Sequence, residues 1–163
     1  MNPCPCGFYG SKTKKCRCSA KDIRRYLDRI SGPLLDRIDI QVEVDAVPVK
    51  EISEGVAAES SAEVGARVRK VRELQQARYA QDGIHCNAQL DAGLSKKYCP
   101  MTPEATALLH MAVERMGMSM RAYGRVVKVA RTIADMDGAD TIGTTHVAEA
   151  IQYRELDGKY WKG

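Results

Sequence analysis

Residues 119–138 read SMRAYGRVVKVARTIADMDG, and their spacing decides the fold. Tyr123, Val126, Val127, Ala130, Ile133 and Ala134 recur at helical spacing and share one side. At ~100° per residue, Arg121, Arg125 and Lys128 fall together on the opposite side. A helix starting at Ser119 with one apolar side needs other helices to cover it, and the flanking sequence supplies them. Just upstream, Thr102 caps a helix opened by Pro103, whose missing N–H costs nothing at the first helical position. Leu108, Leu109, Ala112, Val113 and Met116 form its apolar face, and Gly117 suits its end. Downstream, a last helix from Thr145 to Tyr153 turns Val147, Ala150 and Ile151 inward.

Earlier in the chain, Ser60 and Glu63 have the spacing of a capping box, in which hydroxyl and carboxylate satisfy reciprocal backbone donors. Val64, Val68, Val71 and Leu74 follow at helical spacing, and this helix should end near Tyr79, before Asp82-Gly83. Brief helical turns are expected between Asn87 and Tyr98. Such helices make a bundle. The expected fold is therefore mainly α, with the bundle over residues 60–163.

Residues 1–46 differ in character. They hold four of the six cysteines, a basic cluster, a short helix over 24–35 and one expected strand, Ile38 to Val44, where apolar and polar residues alternate. Residues 47–59, with Pro48, Gly55 and small polar side chains, read as a linker. From Lys12 to Arg29 the chain carries Lys12, Lys14, Lys15, Arg17, Lys21, Arg24, Arg25 and Arg29 against only Asp22 and Asp28. Such a patch could attract phosphates or an acidic surface, but on charge alone a solvated helix face is the favoured reading. Aromatic residues make up only 6%, which disfavours a base-stacking platform. No apolar run approaches the ~20 residues that span a bilayer. MNPCPCG lacks the basic and apolar regions of a secretory signal, so a cytoplasmic location without a membrane partner is expected.

Two groups of residues bear on chemistry. Cys4-Pro5-Cys6 and Cys16-Arg17-Cys18 are close thiol pairs that together could give the tetrahedral four-sulfur site zinc prefers. Zinc would staple a segment too polar to hold itself by burial. Unliganded thiols are the competing reading, and disulfides are disfavoured in a reducing compartment. Cys86 and Cys99 stand alone and read as small packing residues. His85, His110 and His146 are scattered and have no partner at ligand spacing. No Ser-His-Asp, HExxH or P-loop pattern occurs. The second group is arginine. Arg37 lies between Asp36 and Asp39 where a helix hands over to the expected strand. Arg121 sits in the first turn of its helix, where amide donors and the positive end of the dipole already favour an anion. On spacing alone the favoured reading of each is surface ion pairing, Arg37 with Asp39 and Arg121 with an acid nearby.

Four long motifs, in order, resemble the magnesium-chelatase-like AAA+ ATPases of the ComM/YifB type. They are MNPCPCGFYG at 1–10, RRYLDRISGPLLDRIDIQVEV at 24–44, SMRAYGRVVKVARTIADMDG at 119–138 and HVAEAIQYRELD at 146–157. The resemblance covers essentially the whole chain and makes it similar to the C-terminal part of such an ATPase. It implies that 1–46 is the end of the α/β nucleotide-binding core and 60–163 the helical lid. It also implies that Asn2 is sensor 1, that Arg37 is an arginine finger acting in trans, and that Arg121 is sensor 2. ATP and Mg²⁺ are the expected cofactors of the full-length protein, held largely by Walker A and B residues expected upstream of Met1. Expected partners are copies of itself in a hexameric ring, and DNA, in recombination or branch migration. Alone, the chain is expected to be inactive and monomeric, unless the edge of 38–44 pairs between copies. Two other functions stay open: the ATPase subunit of a metal-chelatase complex, and a zinc-stapled interaction module.

Overall fold

A computed structural model describes residues 1–11, 13–44, 47, 58–156 and 160. Its elements are α1 (Ala20–Leu27), α2 (Gly32–Leu35), α3 (Ser61–Arg78), a 3-10 turn (Asn87–Gln89), α4 (Ala92–Tyr98), α5 (Pro103–Met116), α6 (Met120–Met136) and α7 (Thr144–Gln152). The fold is mainly α, as the periodicity predicts. The expected linker at 47–59 lies outside the described residues except at 47, 58 and 59.

Local chemistry sets each helix start. Ser60 and Glu63 form the reciprocal capping box that opens α3, and the Thr102 side chain accepts from the Ala105 N–H at the head of α5. Gly117 ends α5 in the left-handed conformation (φ 55°) that only glycine adopts without strain. Ser119 then accepts from the Ala122 N–H and starts α6.

Helix α6 is the centre of the bundle. Its Val126, Val127, Ala130 and Ala134 are buried together with Leu109 and Ala105 of α5 and Val147 and Ala150 of α7. Tyr79, Leu90, Cys99 and Ile142 close the same core from the connecting segments. Thr102 N–H donates to Ile142 O and Ile142 N–H to Pro100 O, which ties the chain entering α5 to the chain entering α7. Helix α3 is different. Its buried residues are Val71 and Gln75, whereas Val64, Val68 and Leu74 are exposed.

What fastens α3 is polar. The Asp135 carboxylate, fully buried on α6, accepts from both Arg78 Nη atoms at 3.0 and 2.6 Å. It also accepts from Gln75 Nε2 at 3.1 Å, Asn87 Nδ2 at 2.9 Å and Arg131 Nε at 2.9 Å. Arg131 continues to the carbonyls of Ala139 and Asp140 beyond the end of α6. Asn87 accepts from the Tyr79 hydroxyl and donates to Thr132. Burial pushes the Asp135 carboxyl up, but hydrogen bonds from Arg78 and Asn87 and the charges of Arg131 and Arg78 outweigh it and hold the group below the usual carboxylate range.

The strand expected at Ile38–Val44 is not formed. Residues 40–44 have no regular structure, and Ile40, Val42 and Val44 are exposed. The physical reason is the absence of a ladder: among the described residues the only bridge is Met101 with Ile142, so no neighbouring strand accepts these backbone groups. Gln41 N–H donates instead to Tyr153 O, just past the end of α7.

Removing the Asp135 carboxylate leaves two guanidinium groups facing each other. Asp135→Ala should lower unfolding free energy by ~3–5 kcal/mol, read by chemical denaturation. Because the folded carboxyl lies below its unfolded value of ~3.9, its contribution is present above that pH and is lost as pH falls through the folded pKa. The acid limb of the stability curve should therefore be shallower in Asp135→Asn than in the parent.

Candidate functional site

The N-terminal cysteines converge. Pro3 and Pro5 restrict the backbone, Gly7 turns it at φ 81°, and Gly7 N–H donates to Cys4 O at 3.0 Å. This knuckle faces the Cys16-Arg17-Cys18 pair. Sγ atoms stand 3.4 Å apart for Cys4 and Cys6, 3.8 Å for Cys4 and Cys16, and 3.6 Å for Cys6 and Cys16. All four ligand atoms, Cys18 included, lie within 4.8 Å of one another. Four sulfurs at the usual Zn–S distance form a tetrahedron with edges of ~3.8 Å. The sulfurs are too far apart for disulfides, and all are free.

The donors around the cluster suit thiolates. Tyr9 N–H points at Cys4 Sγ at 3.3 Å and Cys18 N–H at Cys16 Sγ at 3.4 Å. Backbone N–H groups of Arg17 and Phe8 bring the Cys6 thiol down to about 6. A backbone N–H of Cys6 also favours the Cys18 thiolate, yet desolvation and the neighbouring sulfurs push that thiol up to about 12. One thiolate is thus welcome and a second is resisted, the condition a divalent cation relieves. Cys99 is the contrast: it is buried in the bundle core, and burial pushes its thiol up to about 11.

Asn2 is exposed beside this knuckle, and a Cβ added to Gly7 would meet its Nδ2 at 3.4 Å. Asn2, Gly7, Tyr9, Val42 and Tyr160 share the lining of a cavity of about 820 Å³. Arg37 and Arg121 do not line it. They belong to a separate region, built where α2 meets the head of α6.

There the acids flanking Arg37 are taken by other partners. Asp36 Oδ2 accepts from Ser119 Oγ at 2.7 Å, and Asp39 Oδ1 accepts from Arg125 Nη1 at 2.6 Å. Arg37 therefore does not form the ion pair with Asp39 that spacing allowed. Its Nη1 donates to Pro33 O at 2.8 Å, and its side chain is exposed. Arg121 is also exposed, with no ion pair among the described residues, two positions after the Ser119 cap that Asp36 holds. The Asp36–Ser119 bond thus joins the segments that carry the two arginines.

The basic segment is partly neutralised. Arg24 pairs with Asp28 at 3.2 Å and Arg25 with Asp22 at 3.2 Å, while Arg29 lies over the Tyr26 ring. His146 is a packing residue: its Nδ1 accepts from Gly143 N–H, and its Nε2 lies 3.2 Å from Asp137. Sequence reading missed Arg154, which is wholly buried and reaches the backbone beside Arg37. It also missed the Asp135 network, although Arg131 and Asp135 share the apolar side of α6 four residues apart.

Residues 58–154 match the family model described as magnesium chelatase, subunit ChlI C-terminal, and residues 1–52 match that of magnesium chelatase, subunit ChlI. The chain is 40% identical over 157 residues to Competence protein ComM of Haemophilus influenzae, covering 96% of this chain and 30% of that protein. It is 40% identical over 158 residues to Uncharacterized protein YifB of Escherichia coli, again covering 96% of this chain and 30% of that protein. The chain thus spans about 30% of the length of these relatives. No helix among the described residues is long and apolar enough to cross a membrane.

The cysteine geometry generates a direct expectation. Purified protein should carry a single zinc ion per chain, measured by elemental analysis. Cobalt should replace it with the absorption of a tetrahedral thiolate site, and Cys4→Ser with Cys16→Ser should abolish both signals. Metal-free protein with freely titrating thiols would show an empty thiol cluster.

Proposed function

The chain belongs to the magnesium chelatase ChlI family, and on that premise we propose that it is the C-terminal part of an ATP-driven AAA+ motor that acts on DNA. In this reading residues 1–46 end the nucleotide-binding core, 47–59 link it to the lid, and 60–163 form the lid. A relative named as a competence protein supports DNA, not a porphyrin, as the object of the work.

The observation that carries the reading is the state of Arg37. An arginine finger must be exposed, held by its backbone and free of its own acids, because its charge is needed at another subunit's phosphates. Arg37 is exposed, and Asp36 and Asp39 are engaged by Ser119 and Arg125. A lone surface arginine beside two acids would gain by pairing with them, so the diversion of both acids has a consequence: the guanidinium keeps its full charge for a partner outside the chain.

Each residue then has a role. Asn2, exposed near the cysteine knuckle, orients the attacking water through its carboxamide. Arg37 reaches into the neighbouring subunit's site and offsets charge on the transferring phosphoryl group, a contribution of preorganised electrostatics. Arg121, in the first turn of α6, adds a cation where the helix already presents amide donors to an anion. It couples the nucleotide's γ-phosphate to the position of the lid. ATP would be the substrate and Mg²⁺ would supply neutralising charge at its phosphates, both held mainly by P-loop and acidic residues of the full-length protein. Cys4, Cys6, Cys16 and Cys18 would hold zinc, which would fix the loop that follows Asn2 and leave the chemistry to other groups.

In the full-length protein, Arg37→Ala should lower kcat for ATP hydrolysis by ~10³-fold or more while ATP affinity is retained. Undiminished hydrolysis would remove Arg37 from the mechanism. Hydrolysis by the parent should rise on adding DNA; stimulation by a porphyrin with chelatase partners instead would assign the chain to metal insertion. The 163 residues alone should show no turnover, and measurable hydrolysis by them would contradict the division of labour proposed here.

A further inference from the structure

Arg154 is wholly buried, 117 positions away from Arg37 in sequence, and charged. Its Nη1 donates to Leu35 O at 3.2 Å and also to Ile38 O, and its Nη2 stands 3.8 Å from Asp36 Oδ1. These acceptors bracket Arg37 on both sides. Leu35 and Asp36 precede it and Ile38 follows it, so one guanidinium holds the backbone through which Arg37 passes.

Local bonds fix only part of that shape. Helix α2 is four residues long, and Asp36 N–H closes it onto Gly32 O at 2.9 Å. Arg37 N–H bonds Leu34 O at 3.0 Å and Ile38 N–H bonds Leu35 O at 3.0 Å, which satisfies donors but leaves the Ile38 carbonyl to an outside group. Among the described residues, those beyond it form no ladder. A buried guanidinium is costly unless its donors are met, and here backbone carbonyls of the finger segment help to meet them. The same planar fork spans two carbonyls and faces a carboxylate, a geometry that a lysine's single ammonium does not reproduce.

We infer that Arg154 is a positioning residue for Arg37, the clamp by which the end of the lid fixes where the finger is presented to the neighbouring subunit. The inference rests on the reading of Arg37 as a finger acting in trans. Arg154 lies two residues past the end of α7, and Tyr153 between them accepts from Gln41 N–H. Two successive residues at the end of the bundle therefore hold the segment before and after Asp39. Ser119 and Arg125 add side-chain contacts from α6. The finger consequently moves with the lid, and a lid displaced by its own nucleotide state carries Arg37 toward or away from the neighbour's phosphates.

The test uses the full-length protein with Arg154→Lys, Arg154→Gln and Arg37→Ala. Misplacing a reacting group by about 1 Å costs ~10²-fold in rate, so Arg154→Lys should lower kcat by that order. Its KM for ATP and melting temperature should stay near the parent's. Arg154→Gln, which loses the charge as well, should fall further in kcat and approach Arg37→Ala. Adding Arg154→Lys to Arg37→Ala should give no further loss, because there is no finger left to position. Parent-like kcat in Arg154→Lys, with Arg37→Ala inactive, overturns the inference and leaves the finger reading standing. So does a parallel fall of kcat, ATP affinity and melting temperature in both Arg154 variants, the pattern of a residue that only holds the fold. Full activity in Arg37→Ala overturns the finger reading itself.

Discussion

The segment from Leu35 to Gln41 carries backbone groups that no sheet pairs among the described residues, and the end of the helical bundle pairs them instead. Arg154 takes the carbonyls of Leu35 and Ile38, and Tyr153 O takes the N–H of Gln41. Side chains repeat the attachment: Ser119 to Asp36 and Arg125 to Asp39. A backbone polar group removed from water without a partner is expensive, so these contacts decide where the segment lies. Everything proposed for Arg37 follows from that, because its exposure and its freedom from Asp36 and Asp39 are the outcome of the same four attachments.

An attachment is only as rigid as the body that provides it. Helix α6 supplies Ser119 at its head and Asp135 near its tail, with Val126, Val127 and Ala130 buried between. Asp135 in turn fastens α3 through Arg78 and Gln75, where apolar contact is thin. The bundle is thus an apolar core of α5, α6 and α7 extended by a buried charge network toward α3. The network involves two guanidinium groups and one carboxylate, so it holds only while that carboxylate is ionised. The cysteine knuckle instead gathers four sulfurs in a geometry suited to a metal, in a loop with little apolar surface to bury.

Much of this was legible in the sequence. Helices over 61–78, 103–116, 120–136 and 144–152 follow from their apolar spacing and from Ser60, Thr102 and Ser119 as caps, and the cysteine pairs announced a four-sulfur cluster. The strand at 38–44 does not form because alternation reports a half-buried surface only where a sheet covers it; no sheet does so among the described residues, and Val42 and Val44 face outward. Arg154 was invisible for a related reason. Nothing local marks a buried arginine, and its acceptors are backbone carbonyls more than a hundred residues away. Asp135 and Arg131 were legible in principle, since charged residues on the apolar side of α6 must be paired to be tolerated. Arg37 shows the opposite case: spacing offered Asp39 as its partner, and tertiary contacts gave that acid to Arg125.

The proposed role of Arg37, held by the end of the helical bundle and acting on a neighbouring subunit's nucleotide, can be tested by mixing two inactive full-length variants, one lacking the P-loop lysine and the other carrying Arg37→Ala. An interface that pairs the intact P-loop of the second with the intact Arg37 of the first should restore ATP hydrolysis. Activity that rises on mixing well above either variant alone is the predicted result. A mixture as inactive as its components, in rings shown to contain both, would contradict action in trans.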